Sequence, residues 1–315
     1  MENALALFSA LADPTRLRMM SLLRAMELSI GELAVVLGQS QPRVSHHVKI
    51  LADAGLLRRR KEGSWVFLSL GAPAVVVPLF ELLDAWGDDG HWPVADHARL
   101  AAVRADRARA AAAYFDAHAA EWDAMRSLHV AESAVEAAIC AALAGAPVGR
   151  LVDIGTGTGR MIALLGGQAL SAIGVDRSPE MLRLAREKLA AGEQNAELRQ
   201  GDMFALPLLS ASADTVIIHQ VLHYAQHPAA VLAEAARLLA PDGRLLLVDF
   251  APHEKEELRT RHAHARLGFA DAQISAWFAA AGLASAAPVA LAGGELTVKL
   301  WLGRLTVPAG VREKI

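Results

Sequence analysis

One stretch, Leu151 to Asp176 (LVDIGTGTGRMIALLGGQALSAIGVD), constrains the fold more than any other. An apolar run from Leu151 to Ile154 carries an acid, Asp153, and breaks into Gly155-Thr156-Gly157-Thr158-Gly159. Helix-compatible residues follow, and a second apolar run closes on Asp176. Strand, glycine turn, helix, strand is a βαβ unit, which predicts parallel strands. Glycines at the mouth of the first strand tolerate positive φ and let a ligand approach the backbone, while the next helix offers its free N–H groups. An acid at the tip of the second strand accepts both hydroxyls of a ribose, and Asp176 stands 17 residues past Gly159, near the spacing of nucleoside-binding units. The plainer alternative is a structural turn in an α/β domain.

At 315 residues the chain is long enough for about two domains, and 54% hydrophobic residues supply cores for them. The net charge of −3 is unevenly spread: residues 1–70 sum to +3 and the remainder to −6. A basic N-terminal piece on an acidic body points to nucleic acid at one end. The single cysteine, Cys140, excludes an internal disulfide and fits a reducing cytoplasm. No secretory signal opens the chain, and the most apolar window, Trp277 to Gly293, is Ala- and Gly-rich with Pro288 inside. It is a poor membrane span and reads as helix, turn and buried strand.

The N-terminal region reads as a series of capped helices. Glu2 to Leu11 is the first; Asp13 caps and Pro14 opens the second, which runs to about Met26. Ser29 and Glu32 form a capping box before Ile30 to Leu37, and Gly38 stops that helix. Ser40 caps the next, Gln41 to Ala54, with Val44, Val48 and Leu51 as its buried stripe and Gly55 behind it. Two helices joined by a short Gly-containing turn make a helix-turn-helix. Ser40, Gln41, Arg43, Ser45, His46, His47 and Lys49 give the second helix a polar face without an acid, and Val44 joins them as an expected DNA contact. Leu56 to Leu68 reads as a β-hairpin whose first arm carries Arg58, Arg59, Arg60 and Lys61. Recognition helix and basic wing predict binding of double-stranded DNA, base edges by the helix and phosphates by the wing. A solvated basic face on a helical bundle that binds protein is the alternative.

These segments, ADPTRLRMMSLL and ELAVVLGQSQPRVSHHVKILADAGLLRRRKEGSWVFLSL, resemble the ArsR/SmtB family of winged-helix repressors over residues 1 to 86. The resemblance implies a homodimer that pairs Glu2–Leu11 and Pro73–Trp86 and sits on a two-fold symmetric operator. Metal-sensing members carry cysteines where this chain has Ala34, Val35 and Val36, so thiolate metal sensing is not expected. Asp84, His91 and His97 are irregularly spaced for the alternative metal site, and no metal is expected.

The glycine motif with Asp153 before it resembles motif I of class I S-adenosylmethionine (SAM) methyltransferases. Its G-x-G-x-G is tighter than the dinucleotide pattern. Val94 to Ala144 reads as helices before the first strand, and Tyr114-Phe115-Asp116 through Glu121-Trp122-Asp123 is similar to the helical lid of that family. The resemblance implies that SAM or S-adenosylhomocysteine (SAH) is held by Asp153, Gly155, Thr156, Gly157, Gly159, Asp176, Arg177, Met181, Asp202, Met203 and His219. Asp202 meets the adenine amino group there, and Met203 packs on the ring. Strands are expected near Ala196–Gln200, at Asp214–Ile218, at Gly243–Asp249 behind the Pro241-Asp242-Gly243 turn, and at Leu296–Leu302, the last antiparallel.

His219, at the carboxyl end of its strand, is the candidate general base. His219, His223 and His227 fall four apart and would share a face if helical. The Asn/Asp-Pro-Pro-Tyr motif of amino-methylating DNA enzymes is replaced by His219-Gln220-Val221-Leu222, and Cys140 precedes the glycine motif, so cytosine C5 and arsenic methylation are not expected.

The expectation is therefore an α/β chain of two domains. A winged helix-turn-helix at 1–86 binds DNA and dimerises, a linker and helical lid occupy 87–144, and a Rossmann-like methyltransferase domain fills 145–315. Its sheet is mostly parallel with one antiparallel strand in the edge region. Together with His253–Arg259 and His264–Phe269, the arrangement resembles bacterial SAH-responsive regulators of methionine-cycle genes. That implies a cytoplasmic DNA-binding regulator; the open alternative is an active small-molecule methyltransferase that regulates its own operon.

Overall fold

Caps and glycines punctuate the first part of the chain where the sequence places them. The structure, a computed structural model, describes residues 2–62, 65–85, 94–118, 131–192, 196–292 and 295–306. It divides into two compact units, residues 1–110 and 111–315.

In the first unit, α1 (Glu2–Leu11) is followed by α2 (Pro14–Ala25), whose N-cap Asp13 accepts a bond from the Arg16 backbone N–H at 3.0 Å. Strand β1 (Leu28–Ser29) leads into α3 (Ile30–Leu37), where the Ser29–Glu32 capping box is complete. Gly38 ends α3 at φ +64°, a conformation that costs a side chain with a Cβ about 1–2 kcal/mol. Recognition-type helix α4 (Gln41–Asp53), the hairpin β2 (Leu57–Glu62) and β3 (Trp65–Leu70), and α5 (Pro73–Ala85) follow. The small sheet runs β1-β3-β2, antiparallel throughout. Val44, Val48 and Leu51 face the same core as Met19, Met20, Leu33 and Leu68.

The helix α6 (Val94–His118) occupies the stretch expected as linker and helical lid. Its first turns join the first unit, because Leu100 lies in that core and Asp96 is buried beside it.

In the second unit, α7 (Glu132–Leu143) precedes the sheet. The organising stretch forms β4 (Gly149–Ile154), α8 (Arg160–Leu165) and β5 (Ala169–Asp176). Then come α9 (Pro179–Ala191), β6 (Glu197–Gln200), β7 (Ala213–His219), α10 (Pro228–Leu238) and β8 (Leu239–Phe250). Last are α11 (Glu256–Arg261), α12 (Asp271–Ala280), β9 (Leu283–Ser285), β10 (Val289–Ala292) and β11 (Thr297–Leu305). The order is β10-β11-β8-β7-β4-β5-β6, with β9 also on β11. From β8 to β6 the strands are parallel, while β11, β10 and β9 pair antiparallel. The chain leaves β4 for β5 on one side and returns to β7 on the other, so a crevice opens at the carboxyl end of β4.

Two local expectations change. The Pro241-Asp242-Gly243 turn lies inside β8: pairing with β7 jumps from Leu239 to Arg244, and Asp242 takes φ +62° in the bulge. The strand expected to be buried before Gly293 is β10, and Val289 is 46% exposed because β10 closes the sheet's edge. β11 is covered on both sides in turn, by β8 and by β10.

Candidate functional site

The helix-turn-helix is built from α3, the Gly38–Ser40 turn and α4. Gln41, Arg43, His46 and Lys49 are exposed and Ser45 half-buried on the outward face of α4. Ser40 stands at the N-cap position, but its side chain makes no cap bond, and the hydroxyl is exposed. Two expected contacts move inward. Val44 is fully buried and belongs to the core, since its i, i+4, i+7 stripe faces α2 and α3. His47 is buried too, with Nδ1 3.9 Å from Asp13. Burial lowers the pKa of His47, the Asp13 carboxylate opposing.

On the wing, Arg58, Arg59 and Lys61 are exposed cations. Arg60 is engaged: its Nη2 donates to Glu27 at 3.0 Å and its guanidinium lies 5.9 Å from the Phe67 ring centre. Arg60 therefore fastens the hairpin to the β1 approach instead of presenting a free charge. Asp84 accepts two bonds at 2.9 Å from Arg24, and His91 lies outside the described residues; among the described residues no group of metal-ligating side chains forms a site.

The crevice of the second unit is lined by the glycine loop. Gly155, Gly157 and Gly159 sit at φ +71°, +53° and +81°. A Cβ at Gly155 would lie 2.7 Å from both Val221 γ-carbons, so this position needs glycine for space and for conformation. The Gly155 and Thr156 N–H groups donate to the Val175 carbonyl at 2.8 and 3.0 Å, which ties the loop to β5. Asp153 is buried under the loop, where its Oδ2 accepts from Thr156 Oγ1 at 2.7 Å. It braces the loop from below.

At the tip of β5, Asp176 Oδ2 accepts from the Gly157 N–H at 2.8 Å and Oδ1 from the Ser178 N–H at 2.9 Å. Ser178 caps α9 through the Met181 N–H at 3.2 Å, Met181 is buried and Arg177 is exposed. Beyond β6, Asp202 is exposed, with Oδ1 accepting from the Phe204 N–H at 3.0 Å, and Met203 is half-buried beside it.

His219 closes β7 and is buried. The three histidines do not share a helical face: His219 ends a strand, His223 sits in the 3-10 turn Leu222–Tyr224, and His227 stands at the N-cap of α10. Two features of this corner were not read from the sequence. Gln220 takes φ +50° while donating its N–H to the Val248 carbonyl at 2.7 Å, a strained residue directly at the crevice. Asp249 is fully buried against His223. Its signal was an acid closing an apolar run, the same signal as Asp176. Of the expected lid aromatics, Phe115 packs edge-on against Tyr224 with centroids 4.7 Å apart, and Glu121 to Asp123 lie outside the described residues.

With this geometry in place, comparison with known proteins is direct. The family described as bacterial regulatory protein, arsR family, matches residues 13–59, and the methyltransferase domain family matches residues 152–247. The arsenical resistance operon repressor of Escherichia coli is 42% identical over 82 residues, 25% of this chain and 69% of that protein.

The chain belongs to the ArsR family, with a methyltransferase domain fused behind its DNA-binding domain.

On the methyltransferase side, a demethylmenaquinone methyltransferase of Deinococcus radiodurans is 35% identical over 156 residues, 47% of this chain and 63% of that protein. The chain spans 49% of the corresponding Thermus thermophilus enzyme. A chain from the complex between the Haloferax volcanii Trm112 methyltransferase activator and its methyltransferase superposes with TM-score 0.51 at 24% identity, covering 61% of this chain and 98% of that one. The fold of the ArsR-fused domain is thus that of class I methyltransferases. No helix among the described residues is long and apolar enough to cross a membrane.

Proposed function

We propose that this ArsR-family protein is a transcriptional repressor whose hold on its operator is set by SAH or SAM in the methyltransferase-fold domain. The observation that carries the reading is the intact nucleoside cradle, three positive-φ glycines with Asp176 closed over Gly157, in a chain that also carries the ArsR-type DNA-binding helix. The residues present fit the group. A Cβ at Gly155 would fill the cradle, Asp176 at the tip of β5 is the acid assigned to the ribose, and the family resemblance assigns Asp202 and Met203 to the adenine edge and face. When bound, SAM supplies an electrophilic methyl on a sulfonium; SAH is the same nucleoside without it.

The DNA-facing set is Ser40, Gln41, Arg43, Ser45, His46 and Lys49 with Arg58, Arg59 and Lys61 of the wing. A homodimer on a two-fold operator follows from the family likeness, and Leu5 and Phe8 on α1 with Val77 and Leu82 on α5 are the exposed apolar side chains that such pairing would cover. Genes of the methionine cycle, in the cytoplasm, are the targets this reading implies.

For control, the ligand must bind the DNA-competent and DNA-incompetent states differently, and about 1–3 kcal/mol of coupling makes a useful switch. The test is binding of full-length protein to labelled DNA from its own upstream region at one stated salt concentration, without ligand, with SAM and with SAH. A five-fold or larger change in DNA affinity with SAH supports the reading. Tight DNA binding that ignores both nucleosides refutes it.

A further inference from the structure

A buried acid–imidazole pair lies at the carboxyl ends of β7 and β8. His223 and Asp249 are 2% and 0% exposed, and Nδ1 of the ring lies 2.7 Å from Asp249 Oδ1. The same carboxylate accepts the backbone N–H of His223 at 3.1 Å and that of Phe250 at 2.8 Å, while the His223 carbonyl accepts from Ala265 and Arg266 N–H at 3.0 and 2.9 Å. The imidazole is therefore fixed in place: a carboxylate only accepts, so Nδ1 carries a proton, and in the neutral ring Nε2 presents a lone pair. That buried Nε2 has no hydrogen-bond partner among the described residues. A purely structural staple needs only Nδ1; a buried lone pair left unmet is costly unless a ligand proton meets it.

The sheet order sets where this pair stands relative to the nucleoside. Reading along the carboxyl edge, Asp202 follows β6, Asp176 ends β5, the glycine loop follows β4, His219 ends β7 and Asp249 lies near the end of β8. Adenine and ribose groups on β6 and β5 leave the reacting end of the ligand directed toward β7 and β8. Val221, two residues before His223, packs against Gly155 of the loop. Rings surround the imidazole: Tyr224 and His264 with centroids at 4.1 Å and Phe250 at 5.2 Å.

We propose that His223 and Asp249 are an acceptor-activating pair, and that the domain methylates the hydroxyl of an aromatic compound, a phenol. The proposal rests on the reading that the domain binds SAM, and not on any response of DNA binding. Neutral amines and carboxylates attack a methyl sulfonium without losing a proton first, so they do not need such a base; a phenol does. The phenol O–H proton passes to His223 Nε2 as the oxygen pair forms the new O–CH3 bond. The S–CH3 bond breaks with its pair on sulfur, leaving the thioether SAH and a proton that His223 returns to solvent. Asp249 is the positioning residue. The His264 ring stacks on the face of the His223 imidazole.

The test uses the full chain with SAH present and 4-nitrophenol as a probe, at a pH below the probe's own ionisation. Wild type is expected to bind the probe saturably and to raise its phenolate absorbance band. His223→Gln is expected to lose the band and Asp249→Asn to weaken it at least about tenfold, with SAH affinity by calorimetry unchanged within about twofold. With methyl-tritiated SAM and catechol, His223→Gln is expected to lower kcat about 10²- to 10⁴-fold at unchanged KM for SAM. Wild type that binds SAH yet neither ionises the probe nor labels catechol overturns the proposal, and this arm needs no variant to fold. A His223→Gln protein that still ionises the probe overturns it as well. Failure to bind SAH overturns the nucleoside reading together with it.

Discussion

Asp96 should behave as the bolt of α6. Its carboxylate, 2% exposed, accepts Nε and Nη2 of Arg18 at 2.6 and 2.7 Å and Nη2 of Arg99 at 2.8 Å. Bonds to charged groups are worth about 1.5–3 kcal/mol each before solvation is counted, whereas exposed ion pairs net about 0–1 kcal/mol. Arg18 and Arg99 keep 20% and 42% exposure and regain water when the acid is removed. Asp96→Ala should therefore cost about 2–4 kcal/mol, below the roughly 3–5 kcal/mol for breaking a fully buried pair. Because two units spoil a two-state unfolding curve, the measurement is local: amide exchange of Leu100 to Val103 in wild type, Asp96→Ala, Arg18→Ala and the double variant. The double variant should cost less than the sum of the singles, by at least about 1 kcal/mol. The pH dependence carries its own sign. Burial raises the Asp96 pKa, but the bonds from Arg18 and Arg99 outweigh it and hold the carboxyl below its ordinary value. Its contribution is then fully present above the unfolded pKa of about 3.9 and lost as pH falls through the lower folded value. Exchange in α6 that Asp96→Ala leaves within about 0.5 kcal/mol of wild type would refute this account.

Three further outcomes follow from individual residues. Gly155→Val places a side chain on Val221 at φ +71°, so SAH affinity should fall beyond calorimetric detection while DNA binding without ligand stays within about twofold. Val44→Ala should destabilise the first unit by about 2 kcal/mol through its cavity, with little change in the salt slope of DNA binding; Arg43→Ala should weaken DNA binding and reduce that slope by about 1, seen in fluorescence anisotropy over a salt series. Arg244→Leu removes donors to the carbonyls of Leu143, Ala146 and Pro147 at 2.9 to 3.0 Å inside the second unit, and amide exchange along β8 should show a loss of about 3–5 kcal/mol.

The sequence made the elements legible wherever a local rule acts alone. The Ser29–Glu32 capping box, the Gly38 stop and the strand–loop–strand around Gly155 depend on neighbours a few residues away and stand as read, whereas Ser40 makes no cap bond. Faces were harder. Val44 and His47 look polar-adjacent on a basic helix, but which side of α4 faces the core is decided by α2 and Asp13, far off in sequence. Arg60 shows the same limit: four basic residues in a row read alike, and only pairing with β3 and the approach of Glu27 sets one apart. The crevice was half legible. Its nucleoside side is carried by one continuous stretch, whereas the His223–Asp249 pair joins two segments 26 residues apart through a parallel sheet register that composition does not encode.

If nucleoside control of DNA binding holds as proposed, α6 is the element to perturb. At its start, Arg99 Nε donates to the Val36 carbonyl at 2.6 Å and Arg18, held by Asp96, reaches the Leu37 carbonyl at 3.5 Å. Those carbonyls terminate α3, where cations complement the helix dipole and where the Gly38 turn sets the pitch of α4. Near its other end, Phe115 packs on Tyr224, next to His223 in the crevice corner. By itself α6 is one rod of 25 helical residues. If the rod carries the coupling, loosening it should uncouple the sites without harming either. Ala101→Gly with Ala102→Gly, both exposed, costs about 1 kcal/mol each in helix propensity. Ligand-free DNA affinity and SAH affinity should each stay within about twofold of wild type, while the SAH-dependent change in DNA affinity shrinks toward one. A full response in the double-glycine protein would show that the signal takes another route.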